Sequence, residues 1–110
     1  MDERERRIAE NEDLFRQGNE RVKELNRAFS VVLDRGDYLC ECGDDACVER
    51  VSLTPEEYER VRAESTHFVV APGHAVRDVE RVVYAGEGYE VVKKHEGEAA
   101  ELARETDPRS

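Results

Sequence analysis

With no tryptophan, one methionine, three phenylalanines and four tyrosines, the 110-residue chain has little large side-chain bulk to bury. No apolar run approaches the ~18 residues that a membrane-spanning helix needs. The N-terminal MDERERRIAENED lacks the apolar stretch of a secretory signal. The expected location is therefore cytoplasmic, where thiols stay reduced. A basic patch is missing as well, since Lys93-Lys94 is the only adjacent lysine pair and the formal net charge is −10. Nucleic acid and anionic membranes are thereby disfavoured as partners. Residues 1–30 hold seven Lys/Arg against eight Asp/Glu, so nearly all the acidic excess falls on the remainder.

Several catalytic signatures are also absent. There is no HExxH, no HxE with PCxxC, no GxSxG elbow, no phosphate-cradling glycine loop and no GxGxxG. The chain is not read as an enzyme, and no catalytic residue is assigned. Glu41 and Glu49, beside the cysteines, are the carboxylates that could act as bases if a metal there kept an open position.

Three segments are present. Residues 1–36 read as a long charged amphipathic helix, in which Ile8, Phe15, Val22 and Phe29 recur every seven residues. Leu14, Leu25 and Val32 fill the same stripe, and Gly36 supplies a stop. Glu3 with Arg7 and Glu12 with Arg16 have the spacing of helix ion pairs. The intervening coiled-coil positions are Asn11, Gly18 and Leu25, a poor seam. The second half of the helix is therefore expected on its own domain. The first half would project, offering Ile8, Leu14 and Phe15 to a protein partner or a second copy of the chain.

Residues 37–95 read as a compact α+β domain with a small, mostly antiparallel sheet and one short helix. Strands are expected at 38–43, 48–53 and 68–71, with a hairpin from 79–84 and 89–93 across Ala85-Gly86-Glu87-Gly88. Thr54-Pro55-Glu56-Glu57 is a helix start with a capping box, and Tyr58, Val61 and Arg62 fall on the inner face. Residues 96–110 read as a flexible tail, with a turn or two of helix around Ala99 to Ala103.

A unit this small commonly needs a staple. Cys40-x-Cys42-Gly43-x₃-Cys47 supplies one, because three cysteines in eight residues fit a metal site better than a disulfide framework. Thiolates select zinc or iron–sulfur chemistry, and a closed tetrahedral zinc site needs a fourth ligand, usually histidine. His74, after Pro72-Gly73, can be turned back toward the cysteines. His67 starts the same strand at its far end, His95 lies past the last strand, and Asp44 is an oxygen alternative. The expected site is one Zn²⁺ per chain on Cys40, Cys42, Cys47 and His74, with a zinc knuckle-like turn at Gly43.

The stretch CECGDDACVERVSLTPEEYERVRAESTHFVVAPGH, followed by ERVVYAGEGYEVVKK and ETDPR, resembles a family of short bacterial proteins. These share a CECxxxxCxE core, an LTxxEYxxVR helix and a PGH turn. The resemblance covers residues 38–109 and implies one coherent domain without implying an activity. The cysteine order is also similar to the SWIM zinc module but departs from it, because Val48-Glu49 stands where that motif ends in CxH. Three function classes follow: a zinc-stabilised interaction or regulatory module, a thiol-based redox or zinc sensor, and, least favoured, a zinc-dependent enzyme.

Overall fold

The structure, a computed structural model, describes residues 2–29 and 35–109, with side chains in the first segment as far as Leu25. The expectations for Phe29 as part of the stripe and for Val32 fall outside this description. Among the described residues eight elements follow in order: α1 (Glu3–Phe29), β1 (Gly36–Leu39), β2 (Arg50–Leu53), α2 (Pro55–Arg62), β3 (His67–Val70), β4 (Glu80–Gly86), β5 (Tyr89–Lys94) and α3 (Glu98–Glu105). The class is α+β, with a long N-terminal helix and antiparallel pairing throughout. The strands form two small sheets, β1-β2 and β3-β5-β4. A backbone bond from Glu41 N–H to the Val69 carbonyl, at 2.7 Å, stitches the end of β1 to β3.

The core forms where β1, β2 and α2 close on β3 and β5. Tyr38 of β1 stacks on Tyr58 of α2 with ring centroids 4.4 Å apart, and Leu53, Phe68, Val70 and Val92 are fully buried around them. The capping box on α2 is present in both directions, Thr54 to Glu57 and Glu57 to Thr54. Its inner face is Tyr58, Val61 and Arg62, as the spacing indicates.

The side of α1 that packs differs from the expected one. Ile8 and Ala9 are buried, but so are Glu12, Arg16 and Asn19, each with no exposed surface, while Leu14 and Leu25 remain 63% and 65% exposed. Of the expected stripe Ile8 is buried and Val22 packs against the core, but polar bonds to the domain hold much of the helix. Arg16 donates to the carbonyls of Ser65 and Ala103, at 2.5 and 2.7 Å, and stands over the Phe68 ring. Glu12 pairs with Lys94 of β5 and not with Arg16, because burial directs it inward to the nearest ammonium. Lys94 also meets Glu80 of β4, at 3.3 Å.

The first half of α1 does not project. Arg4 meets Asp78, Ile8 packs on Gly43, and Asn11 donates to the Gly43 carbonyl at 3.2 Å. The 27 residues of α1 span about 40 Å in a molecule measuring 44 × 28 × 24 Å. The segment expected as a flexible tail carries α3, whose Ala100 and Ala103 are buried. Small side chains there let α3 approach closely. Arg109, beyond it, reaches Glu20 of α1 and Glu59 of α2 at 2.5 and 2.8 Å.

Candidate metal centre

Cys40 and Cys42 follow β1 directly, so the sheet fixes their backbone. Cys40 N–H donates to the Glu49 carbonyl at 3.2 Å, extending the β1–β2 ladder by one step. A tight turn then returns the chain: Cys47 N–H donates to the Asp44 carbonyl, and the Asp44 carboxylate accepts from Ala46 N–H at 2.9 Å. That local bond employs the Asp44 side chain in the turn.

His74 arrives from the other sheet. After β3 the chain turns at Pro72-Gly73, where Gly73 has φ = +84°, a left-handed conformation that suits glycine. Gly73 N–H is held by the Glu90 carboxylate at 3.1 Å, and His74 N–H by the Ala71 carbonyl at 3.0 Å. The imidazole Nδ1 then lies 3.6 Å from the sulfurs of both Cys40 and Cys47. The four donor atoms of Cys40, Cys42, Cys47 and His74 lie within 4.8 Å of one another.

These distances fit one ion. A metal with legs of ~2.3 Å to sulfur and ~2.05 Å to nitrogen at the tetrahedral angle separates S and N by about 3.6 Å. The donor chemistry fits as well, because three sulfurs gathered this closely cannot all be charged without a cation. The bond from the Cys40 thiol holds Cys42 low, at about 5, as the sulfur that carries the charge. The same bond, with burial second, pushes Cys40 far up. Cys47 is pushed up too, first by burial. A dication would take the place of the protons on Cys40 and Cys47. Ala71 N–H already donates to the Cys40 sulfur at 3.1 Å, a bond that favours a thiolate.

Of the other histidines, His67 lies at the far end of β3, and His95 is exposed with Nε2 near the Arg77 carbonyl. Neither joins the cluster. Gly43 serves less to display amides than to admit α1: a Cβ there would stand 2.5 Å from the nearest methyl of Ile8.

Around the ligands lies a shell that spacing alone does not reveal. Glu41, between the first two cysteines, points away from them and is fully buried. Its carboxylate accepts from Arg62 and Val69 N–H, both at 3.0 Å, and from Asn19 of α1 at 2.7 Å. Asn19 also grips Leu39, accepting from its N–H at 2.6 Å and donating to its carbonyl at 2.8 Å. A CxC pair puts its middle residue on the opposite face of an extended chain, which is the one available signal for Glu41. For Asn19 there was none. No family model, curated protein or solved structure matches the chain. No described helix is long and apolar enough to cross a membrane.

Proposed function

We propose that the protein is a zinc-binding module in which one Zn²⁺ on Cys40, Cys42, Cys47 and His74 has a structural role. The observation that carries this reading is the donor set: three sulfurs and one imidazole nitrogen drawn within 4.8 Å, from the β1–β2 loop and the turn after β3. That separation surrounds a single ion rather than a multi-iron cluster, and soft thiolates with imidazole favour zinc. With four protein ligands the ion would keep no open position for substrate, so the reading is structural rather than catalytic. The ion would fasten the β1–β2 loop to the turn after β3, which supports the small core. The module's contacts with a protein partner or a second copy would use the outward side of α1. Leu14 and Leu25 stand there about three turns apart.

Replacing zinc by Co²⁺ tests the coordination. The expected spectrum has the strong visible bands of a tetrahedral site and sulfur-to-metal charge transfer from three thiolates. Weak bands of a six-coordinate ion, or fewer than three thiolates, would contradict it.

One observation favours a second reading, a redox or zinc sensor. Cys47 is part-exposed, whereas Cys40 and Cys42 are each only 2% exposed. An oxidant would meet Cys47 first, and losing that ligand would release the ion. Zinc ejection by peroxide at low millimolar concentration, with Cys47 the first cysteine found oxidised by mass spectrometry, supports this reading. Retention of zinc in the wild type opposes it.

A further inference from the structure

The β3-β5-β4 sheet has two faces. One carries Phe68, Val92 and Lys94 and meets α1. On the other, α2 covers β3 and leaves a cleft of about 290 Å³ beside the β4–β5 hairpin. Val61, Val83, Tyr84 and Val91 make its apolar floor and sides, and Val83 and Tyr84 are exposed there. A bulge between Val82 and Tyr84 brings both Val83 and Tyr84 to the cleft, where regular alternation would bring only one.

The two ends differ in charge. At the hairpin end, Tyr89 donates its hydroxyl to Glu57 at 3.0 Å, and Glu57 is further committed to Thr54 and Arg35. At the other end, about 13 Å along β5 from Tyr89, the register places Lys93 and Arg81 next to the lining residue His67 on this one face, just beyond the cleft's own lining. Arg60 of α2 joins them from above, lining the cleft with His67. Directly opposed like charges destabilise a sheet, and this row sits in a chain of net charge −10. Among the described residues, none of the four side chains has an ion-pair or hydrogen-bond partner. The nearby carboxylate that acts on His67 is Glu64, through its field alone.

We propose that this cleft binds a small aromatic carboxylate, with its ring against Tyr84, Val83 and Val91 and its carboxylate on Arg60, Lys93 and Arg81. The volume lies at the small end for ligand sites, which suits one or two rings. The apolar floor supplies burial for the ring. The unpaired cations supply charge-assisted bonds, and an arginine can take a carboxylate with two parallel N–H donors. Glu57 at the opposite end repels the acid group and sets the orientation. The site is separate from the metal ligands and does not depend on how they are read.

The test is an amide-resolved NMR titration of the full, metal-loaded chain with 2-naphthoate. Neutral 2-naphthamide serves as the uncharged match. Saturable shifts are expected at residues 60–67, 81–84 and 89–93. Binding should weaken about tenfold or more for the amide and for the exposed-site double variant Arg81→Gln/Lys93→Gln. Arg104→Gln, on α3, should bind as the wild type does. Absence of saturable shifts at millimolar naphthoate would overturn the proposal. So would shifts centred elsewhere, or equal binding of acid and amide.

Discussion

Asn19, in the middle of α1, donates its amide to Glu41 at 2.7 Å, and Glu41 is the residue between the first two metal-site cysteines. The longest helix is thereby tied to the loop that carries three of the four candidate ligands. Ile8 against Gly43 and Asn11 on the Gly43 carbonyl make the same connection about three and two helical turns earlier.

Glu41→Ala should therefore cost more than its distance from the ion suggests. It leaves Arg62 buried with its carboxylate partner removed, a loss of about 3–5 kcal/mol for a broken buried pair. Asn19→Ala leaves the Leu39 amide and carbonyl without their partner, at about 1–3 kcal/mol each. Both variants should also hold the metal more weakly, by about tenfold or more, as residues that support ligands do. Denaturant unfolding and competition with a chelating dye measure the two effects. A Glu41→Ala protein of wild-type stability and affinity would show that the network holds nothing in place.

The buried group of Glu12, Glu80 and Lys94 has two carboxyls for one ammonium. Burial, reinforced by the bond with Glu80, holds the Glu12 carboxyl well above its ordinary range. A raised folded pKa stabilises the fold below the unfolded value near 4.5 and loses that contribution as pH rises through the folded value. The slope is at most about 1.4 kcal/mol per pH unit for one proton. Glu12→Gln, which mimics the protonated form, should be the more stable protein at pH 8. It should also lose this part of the pH dependence. Unfolding curves of both proteins from pH 5 to pH 9 check this. A variant less stable than wild type at every pH would contradict the sign.

The candidate metal cluster was legible in the sequence because it is local. Three cysteines in eight residues need no knowledge of the fold, and Pro72-Gly73 before His74 announces the turn that brings its imidazole to the sulfurs. The helix face was not legible, although its period was. Ile8, Glu12, Arg16 and Asn19 follow helical spacing on one side of α1. Hydropathy assigns three of those four to solvent, and they go inside because carbonyls, Lys94 and Glu41 meet them there. Leu14 and Leu25 mislead in the opposite sense. The capping box of α2 was fully visible, since both partners lie within four residues.

The C-terminal segment reads as a flexible tail with a turn or two of helix, yet Arg16 places one of its bonds on the Ala103 carbonyl. Removing residues 98–110 should destabilise the protein by about 2–4 kcal/mol. An acceptor of a buried guanidinium is lost, and the surface under Ala100 and Ala103 is opened. Thermal unfolding of the truncated chain is the check. An unchanged midpoint would mean that α3 does not contribute to the fold.

Removing a ligand should do more. Apparent zinc binding energies of ~10–16 kcal/mol in small zinc peptides match or exceed the ~5–15 kcal/mol that stabilises a whole domain. Cys42→Ser is expected to abolish cooperative melting, and strong chelation of the wild type should do the same. Cooperative melting of the variant at the wild-type temperature would make the cluster an ornament of the fold.

The most direct measurement is metal content per chain, by elemental analysis of protein purified with neither added metal nor chelator. The account predicts about one zinc per chain, lost in Cys40→Ser. A folded protein with no metal and three titratable thiols would contradict it.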